Sequence, residues 1–409
     1  MLSKNKNSIL FLLCIVFVTA TSVIPQLSHA ATINIISADG PGEGFNDTSP
    51  FSPIGGNNAT TLGQARLNVF KAAANIWGNL LVSNVQINVS ASFDSMGGSQ
   101  YSAILGSAGP TSAIRDFPGA LLPNTWYPIA LANAIAGSDL NGSTPEIQAV
   151  FNSDVDNSSV LGSTDWYYGL DGNPGNDVDL LTVVLHELAH GLGFLSFVNL
   201  NTGALPSGLP DAYTFYLEYH GANPPDLISM TNTERLTAIK SAPNLHWTGV
   251  NVISEGGNLT SGVGPGGHVE MYAPNPVEPG SSVSHFNTTL FPNELMEPSY
   301  TGPNHDVRLT ASLLEDIGWM TSANQNQQFT LSVIKSGKGS GTVTSSPPGI
   351  NCGNDCTEDY QSSISVTLTA TPNPGSKFAG WSGDPDCTDG VVSMNVAKTC
   401  YAKFKPKRR

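Results

Sequence analysis

The stretch LTVVLHELAHGLGFLSF, which begins at Leu181, predicts an apolar helix that carries two histidines on one face. His186 and His190 are four residues apart, so on a helix their rings lie one above the other. That separation suits two nitrogen ligands at about 2.0 to 2.1 Å from one zinc ion, and Glu187 is then directed at the open side of the metal. The competing interpretation is a pair of ordinary buried histidines that make hydrogen bonds.

A tetrahedral zinc site needs a third protein ligand, and the next turn of this chain does not supply one. Gly193 lies three residues after His190, where a helix can end and the chain can turn with a positive φ. Three residues further on, Ser196 is a poor zinc ligand. The third ligand therefore comes from a distant part of the chain, or the site is inactive. The downstream candidates are His220, His246, His268, His285, His305 and Glu218.

Periodicity before the histidine helix predicts an α+β arrangement. Residues 61–81 place apolar side chains at helical spacing, with Thr60 or Thr61 as a cap. Residues 85–93 alternate apolar and polar side chains, which is typical of a strand with one buried face. Residues 146–154 predict a second strand.

The histidine helix is expected to begin near Asp177 or Asp179, acidic residues that suit the positive end of a helix. Residues 199–280 are rich in Pro, Gly and Asn, apart from an aromatic stretch and a short helical segment at 231–241, and they indicate a long insertion. A final helix at 309–319 closes the large domain, which is expected to span residues 31–325.

After a polar segment, TSANQNQQ, the chain continues as short alternating strands separated by turn residues, so residues 326–409 predict a small all-β module. Four of the five cysteines lie in this module, and their even number indicates two disulfides in an oxidising compartment. Their order pairs Cys352 with Cys356 and Cys387 with Cys400. A four-cysteine zinc site is the alternative, although these spacings fit zinc knuckles poorly.

The N-terminus predicts export. Lys4 and Lys6 precede an apolar run, and Ala30 ends a group of small residues suited to a signal peptidase, so residues 1–30 are predicted to be a signal peptide. No later apolar run approaches the roughly 18 residues that a membrane-spanning helix needs. The mature protein is therefore expected to be secreted, without a transmembrane segment.

Charge differs between the two parts of the chain. Residues 31–328 contain six Lys and Arg against 26 Asp and Glu, whereas residues 329–409 contain nine basic and six acidic side chains. Phosphate binding needs a basic face, so the acidic main part argues against nucleic acid as a partner. The acidic charge is interpreted as favouring solubility outside the cell, and the basic C-terminus as a frayed end or, alternatively, as a contact for an anionic surface.

Two motifs downstream of the insertion resemble those of the leishmanolysin-type branch of the metzincin zinc endopeptidases. In that branch, a long insertion separates the H-E-x-x-H-x-x-G helix from a third histidine, which follows a serine and precedes an aromatic residue. Ser284, His285 and Phe286 match this pattern, and a methionine turn follows at residues 294–298, around Met296.

The resemblance implies a metzincin-like fold: a mixed sheet with an active-site helix, then a C-terminal subdomain that contains the methionine turn. It implies one catalytic zinc held by His186, His190 and His285. It also implies Glu187 as the base and Met296 as a hydrophobic floor beneath the metal. The eukaryotic members of the family are rich in disulfides, and this chain departs from them because residues 31–325 contain no cysteine.

The C-terminal module is similar to the divergent internalin-type bacterial repeat, a small β module. The segments GSGTVTSSPPGINCGNDC and VTLTATPNPGSKFAGWSG carry this resemblance. It implies attachment to a surface or polymer, or a spacer role, rather than catalysis, and the alternative is a folded unit without a binding role.

The predicted function is a secreted zinc endopeptidase for protein or peptide substrates, in which Glu187 takes a proton from the attacking water and passes it to the leaving nitrogen. The alternative is an exported binding or adhesion protein whose zinc site is structural or vestigial; the β module and Ser196 favour it. Tyr300 is a candidate for oxyanion support, and the alternative is an ordinary surface or core tyrosine. The acidic segments 152–159 and 171–179 are candidates for calcium, although neither follows the twelve-residue EF-hand loop.

Overall fold

The computed structural model describes residues 29–322, 328–361, 364–394 and 396–407. Nearly all of the predicted signal peptide, and the predicted boundary between residues 325 and 326, lie outside these described residues. The described chain is α+β, with several small sheets and an all-β C-terminal region, which confirms the predicted class at this level. None of its helices combines the length and apolar character needed to cross a bilayer.

Loops and short 3-10 helices join the regular elements of the described chain. Its α-helices are α1 (Leu62–Leu80), α2 (Ile129–Ala136), α3 (Leu180–Leu192), α4 (Asn232–Ala238), α5 (Val250–Glu255) and α6 (Arg308–Asp316). The strands before the C-terminal region are β1 (Ile33–Ser37), β2 (Ile87–Asp94), β3 (Gly106–Pro110), β4 (Ala113–Ile114), β5 (Tyr127–Pro128), β6 (Ile147–Asn152), β7 (Trp166–Tyr167), β8 (Val178–Asp179), β9 (Leu217–Tyr219), β10 (Leu245–Trp247) and β11 (Val269–Glu270). The C-terminal strands are β12 (Gln328–Ser336), β13 (Gly341–Ser346), β14 (Thr357–Gln361), β15 (Ser365–Pro372), β16 (Ser376–Gly383), β17 (Val391–Ser393) and β18 (Lys398–Pro406).

A four-stranded sheet with the order β1-β2-β6-β3 supports the N-terminal half of the chain. Strands β1, β2 and β6 run parallel, whereas β3 lies at the edge and runs antiparallel to β6. Parallel neighbours need a crossover connection, and α1 provides it between β1 and β2. The predicted strands at 85–93 and 146–154 correspond to β2 and β6.

The helices α1 and α3 pack against each other and against this sheet, in the centre of the main core. Thr61 caps α1, because its side chain accepts a hydrogen bond from the backbone N–H of Gln64, and the predicted helix is confirmed. Trp77 is fully buried and donates its Nε1–H to the carbonyl oxygen of Leu185 in α3, at 3.1 Å. Replacing a buried tryptophan with alanine costs about 3 to 5 kcal/mol, so this contact holds the two helices in place.

The predicted insertion, residues 199–280, has regular structure of its own. It contains an antiparallel three-stranded sheet with the order β11-β10-β9. The helix α4 begins with a capping box between Thr231 and Glu234, inside the stretch predicted to be helical. One face of the sheet belongs to the main core, and its fully buried side chains are Leu217, Leu245, Trp247 and Val269.

The C-terminal region forms two sheets around a second hydrophobic core. Their strand orders are β14-β12-β18-β16 and β13-β15-β17, and the pairs are antiparallel except for β12 with β18. Disulfides join Cys352 to Cys356 and Cys387 to Cys400, the pairing that the order of the cysteines indicates. The four-cysteine zinc alternative is therefore wrong, because every one of these sulfurs is bonded to another.

Candidate metal centre

The Nε2 atoms of three histidines lie close together, and these residues are His186, His190 and His285. The Nε2–Nε2 distances are 3.1 Å between His186 and His190, 3.1 Å between His186 and His285, and 3.2 Å between His190 and His285. In a tetrahedral site with zinc–nitrogen bonds of about 2.0 to 2.1 Å, two ligand nitrogens lie about 3.3 to 3.4 Å apart. The three side chains therefore have the spacing of ligands to one metal ion.

The other ring nitrogen of each histidine, Nδ1, faces a backbone carbonyl oxygen. These pairs are His186 with Leu295 at 2.8 Å, His190 with Phe194 at 2.7 Å, and His285 with Ser281 at 2.8 Å. A carbonyl oxygen only accepts hydrogen bonds, so each neutral ring carries its proton on Nδ1 and leaves a lone pair on Nε2. Three converging lone pairs repel one another unless a cation lies between them, so the arrangement fits a metal ion with anchored ligands.

The helix α3 positions two of these histidines. Asp179 caps α3, since its carboxylate accepts hydrogen bonds from the backbone N–H and the hydroxyl of Thr182. The helix ends one residue before Gly193, whose φ of 124° is a conformation that favours glycine. The turn at Gly193 brings the carbonyl oxygen of Phe194 back to the ring of His190.

His285 lies in a loop that is tied to the end of α3. The backbone N–H of Ser196 donates a hydrogen bond to Oγ of Ser284, at 3.1 Å. The backbone N–H of Phe286 donates to the carbonyl oxygen of Met296, at 2.9 Å. Ser196, a poor ligand by its chemistry, therefore helps to position the segment that carries the third histidine.

The predicted methionine turn supplies a backbone acceptor to the site. Met296 is fully buried, and the preceding carbonyl oxygen, that of Leu295, is the partner of His186 Nδ1. Glu294 and Glu297 close the turn, because each donates its backbone N–H to an oxygen of the other. The role of Met296 as a floor beneath a metal stays a prediction.

Burial keeps the three histidines uncharged. It lowers the pKa of His186 to about 4 and that of His190 to about 3, and the neighbouring His186 lowers the second value further. The pKa of His285 lies well below its usual range, first because of burial and then because of the other two histidines. All three rings are thus neutral near pH 7, the form that binds a metal.

Glu187 lies beside these ligands and is buried. Burial raises the pKa of its carboxyl group to about 8, and a hydrogen bond with the backbone of Ala108 in β3 acts in the opposite direction. The strand packs tightly here, since a Cβ atom at Gly106 would lie 3.3 Å from Cγ of Glu187. A metal ion held by the three histidines would favour the ionised form of this carboxyl group, which can accept a proton.

The site opens into a cleft with a volume of about 1660 Å³. Its walls include the strand β3, the loop that carries His285, and residues 299–304. The strand β3 pairs with β6 alone within its sheet, so its other edge has no strand partner there. The sequence did not indicate β3, because its residues, GSAGP, are too small to show an apolar alternation.

The other candidates for the third ligand lie elsewhere. His305 Nε2 is 2.7 Å from Oδ2 of Asp179, the residue that caps α3. His220 and His268 lie close to each other and to Glu218, and they form a separate group. His246 stacks on His220, with ring centroids 4.0 Å apart.

Tyr300 lines the cleft, and its hydroxyl oxygen accepts a hydrogen bond from the backbone N–H of Asp179, at 3.0 Å. The hydroxyl proton is not used by that bond, so oxyanion support by Tyr300 stays a prediction. In the two segments considered for calcium, protein donors already face carboxylates: Arg66 contacts Asp156, and Tyr167 donates to Asp171. Calcium binding there also stays a prediction.

Comparison with known proteins identifies only the C-terminal module. Residues 331–408 match the divergent InlB B-repeat domain. This confirms the internalin-type part of the sequence resemblance, whereas no peptidase family matches the rest of the chain. No curated protein and no solved structure is significantly similar to this chain.

Proposed function

We propose that this chain is a secreted zinc-dependent endopeptidase. The observation that supports it best is the convergence of three Nε2 atoms from His186, His190 and His285, each ring held by a backbone carbonyl at Nδ1. Three protein ligands leave a fourth position open to water, as in catalytic zinc sites, whereas structural sites are closed by four. The cleft makes that open position accessible to a large substrate.

Zinc at this site would polarise the peptide carbonyl and lower the pKa of the attacking water. Glu187 accepts a proton from that water while the oxygen of the water forms a bond to the carbonyl carbon. Glu187 then passes the proton to the amide nitrogen as the carbon–nitrogen bond breaks.

The open edge of β3 supports an extended peptide as the substrate. A peptide laid along this edge would pair with the backbone groups of β3 as an added strand. The backbone of Ala108 in β3 contacts Glu187, so the scissile bond of a peptide paired with β3 would lie beside the base. Main-chain pairing of this kind binds many sequences, which is consistent with an endopeptidase.

The same proposal includes a metzincin-like arrangement of the leishmanolysin type. Its support is the order of the motifs and their contacts: the glycine turn at Gly193, the distant His285, and the turn around Met296 that contacts His186 through Leu295. Secretion is supported by the two disulfides and by the repeat domain, which are compatible with export.

A second role, in binding, is favoured by the match of residues 331–408 to a repeat domain. In that role the module would attach the chain to a surface or polymer, with or without a catalytic metal centre. A truncated chain that keeps hydrolysis but loses attachment would assign the two roles to separate regions.

The test compares wild type with Glu187→Gln after both have been loaded with zinc. The variant keeps the shape of the side chain but cannot act as a base, so we expect unchanged metal content and a loss of casein hydrolysis of about 100-fold or more. Glu278→Gln, at an exposed glutamate, is the matched control and should retain activity. A metal-loaded Glu187→Gln variant with wild-type turnover would refute the assignment of the base.

A further inference from the structure

One face of the β11-β10-β9 sheet carries titratable side chains, although its other face is apolar. Glu218 in β9 and Glu270 in β11 both lie opposite His246 in β10, so the three side chains share this face. His220 follows Glu218 by two residues, and His268 precedes Glu270 by two, which continues the alternation. The segment 199–280 therefore brings three histidines and two glutamates to one surface.

Three of these side chains bring ligand atoms together. His220 Nε2 lies 3.2 Å from His268 Nδ1, and Oε2 of Glu218 lies 3.5 Å from the first atom and 3.7 Å from the second. These distances bracket the separation of about 3.3 to 3.4 Å expected between ligands of a tetrahedral zinc ion. We propose that Glu218, His220 and His268 form a second metal site, for a divalent transition-metal ion such as zinc, separate from the centre at α3.

The surroundings favour ligation by these three and not by the other two members of the face. The ring of His246 is stacked on that of His220 with an interplanar angle of 15°, so it supports the ring and does not converge on the same point. The carboxylate of Glu270 is occupied, because it accepts hydrogen bonds from Asn287 and Thr289.

The backbone also holds the ligands in place. The N–H of His220 donates to the carbonyl oxygen of Asn244, at 2.9 Å, and the carbonyl oxygen of His268 accepts from Gly264, at 2.8 Å. A Cβ atom at Gly264 would lie 2.5 Å from Nε2 of His246, so the loop before β11 lies directly against the stacked rings. The ligand residues are thus positioned before any metal binds.

Two imidazoles and one carboxylate suit zinc and its neighbours among the first-row metals, whereas calcium and magnesium prefer oxygen ligands alone. The side chains of the three ligands keep 22–23% of their surface exposed, so the site is accessible from solvent. A metal here would join the end of β9 to the start of β11, two strands within the segment 199–280. Its role is to stabilise the segment that leads to His285.

The second site is independent of the proposed peptidase activity, and removal of the first centre separates the two. In the full-length chain with His186→Ala and His190→Ala, the first centre is removed, and we expect about one zinc ion per chain after loading with zinc and removal of the excess. Adding His268→Gln should reduce this to near zero, whereas adding His268→Asp, which keeps a ligand, should retain it. Zinc should raise the melting temperature of the His186→Ala/His190→Ala chain and of the same chain with His268→Asp, but not that of the chain with His268→Gln.

Glutamine at position 268 can still hydrogen-bond to His220 but is a poor zinc ligand, so it separates a hydrogen-bonded pair from a metal site. Retention of zinc by the His268→Gln chain, or no zinc in the His186→Ala/His190→Ala chain, would overturn the proposal. If the His186→Ala/His190→Ala chain fails to fold, His268→Gln and His268→Asp are made in the wild-type chain instead. His268→Gln should then lower the zinc content from about two ions per chain to about one, and an unaltered zinc content would overturn the proposal. A wild type that holds one zinc and loses it with His268→Gln would reject the first centre and keep the second.

Discussion

Nδ1 of His186 donates a hydrogen bond to the carbonyl oxygen of Leu295, 109 residues later in the chain, at 2.8 Å. This bond joins α3 to the methionine turn and determines which nitrogen of His186 carries the proton. His190 and His285 are held in the same way by Phe194 and Ser281. The metal-binding form of all three rings is therefore set by the backbone.

Removal of the distant histidine should abolish metal binding at this centre. In His285→Ala, two of the three converging nitrogens remain, and we expect the zinc content to fall by about one ion per chain and casein hydrolysis to be lost. Metal analysis and a hydrolysis assay on the same preparation measure both effects. Glu278→Gln, at an exposed side chain, is the control that should keep both the zinc content and hydrolysis. An active His285→Ala chain with unchanged zinc would exclude His285 as a ligand.

Gly193→Ala should destabilise the chain and weaken metal binding together. The φ of 124° is strained for alanine, and the new Cβ would lie 2.9 Å from Cδ1 of Ile317. We expect a loss of about 1 to 3 kcal/mol in the free energy of unfolding, measured with denaturant. Gly142→Ala is the matched control, since Gly142 also has a positive φ, 66°, but a Cβ there meets no atom within 4 Å. Equal losses in the two variants, with metal affinity unchanged, would contradict the role of the turn at Gly193.

Asp316 should make stability fall as the pH rises. Its carboxylate accepts hydrogen bonds from Trp247, Asn251 and Val252, but burial dominates and raises its pKa from 3.8 to about 6. The folded state therefore binds the proton more tightly than the unfolded state. The stability contributed by the protonated group is present below about pH 4 and is lost as the pH rises through about 6, by roughly 3 kcal/mol.

This dependence can be isolated by measuring unfolding free energies of wild type and Asp316→Asn from pH 4 to pH 7. The difference, wild type minus variant, should decrease across this range. Asp306→Asn is the control, because hydrogen bonds from Arg308 lower the pKa of Asp306 from 3.8, so its stabilisation is lost only below about pH 4 and its difference from wild type should stay nearly constant across this range. Parallel profiles for wild type and Asp316→Asn would show that the pKa of Asp316 is not raised.

The two disulfides should differ in their effect on the C-terminal module. Cys387 and Cys400 are separated by 13 residues, whereas Cys352 and Cys356 are separated by four. Loop-closure entropy then predicts that the free energy of unfolding of the module falls by about 3 kcal/mol when Cys387 and Cys400 are replaced by alanines. Replacing Cys352 and Cys356 should lower it by about 2 kcal/mol. Amide hydrogen exchange of β12 to β18 in the full-length chain measures these losses. Faster exchange after removal of the short-loop disulfide than after removal of the other would contradict the entropic ranking.

Local sequence was sufficient for α1, for the strands β2 and β6, and for the limits of α3. Each of these elements repeats its apolar residues with its own period, and Thr61 and Asp179 carry capping side chains, so neighbouring residues contain the information. The sequence also indicated the metal-binding spacing of His186 and His190, because four residues return to the same helix face.

Only the tertiary structure decided the rest. His285 lies 95 residues after His190, and its approach depends on how residues 199–280 fold, which periodicity in a Pro- and Gly-rich segment does not encode. The strand β3 consists of small residues and is defined by its pairing with β6 and not by its own pattern. Hydrogen bonds from histidine rings to backbone carbonyls leave no trace in the sequence, because every residue has a carbonyl group. The sequence by itself determined which residue types could bind a metal, and long-range packing determined which of them meet.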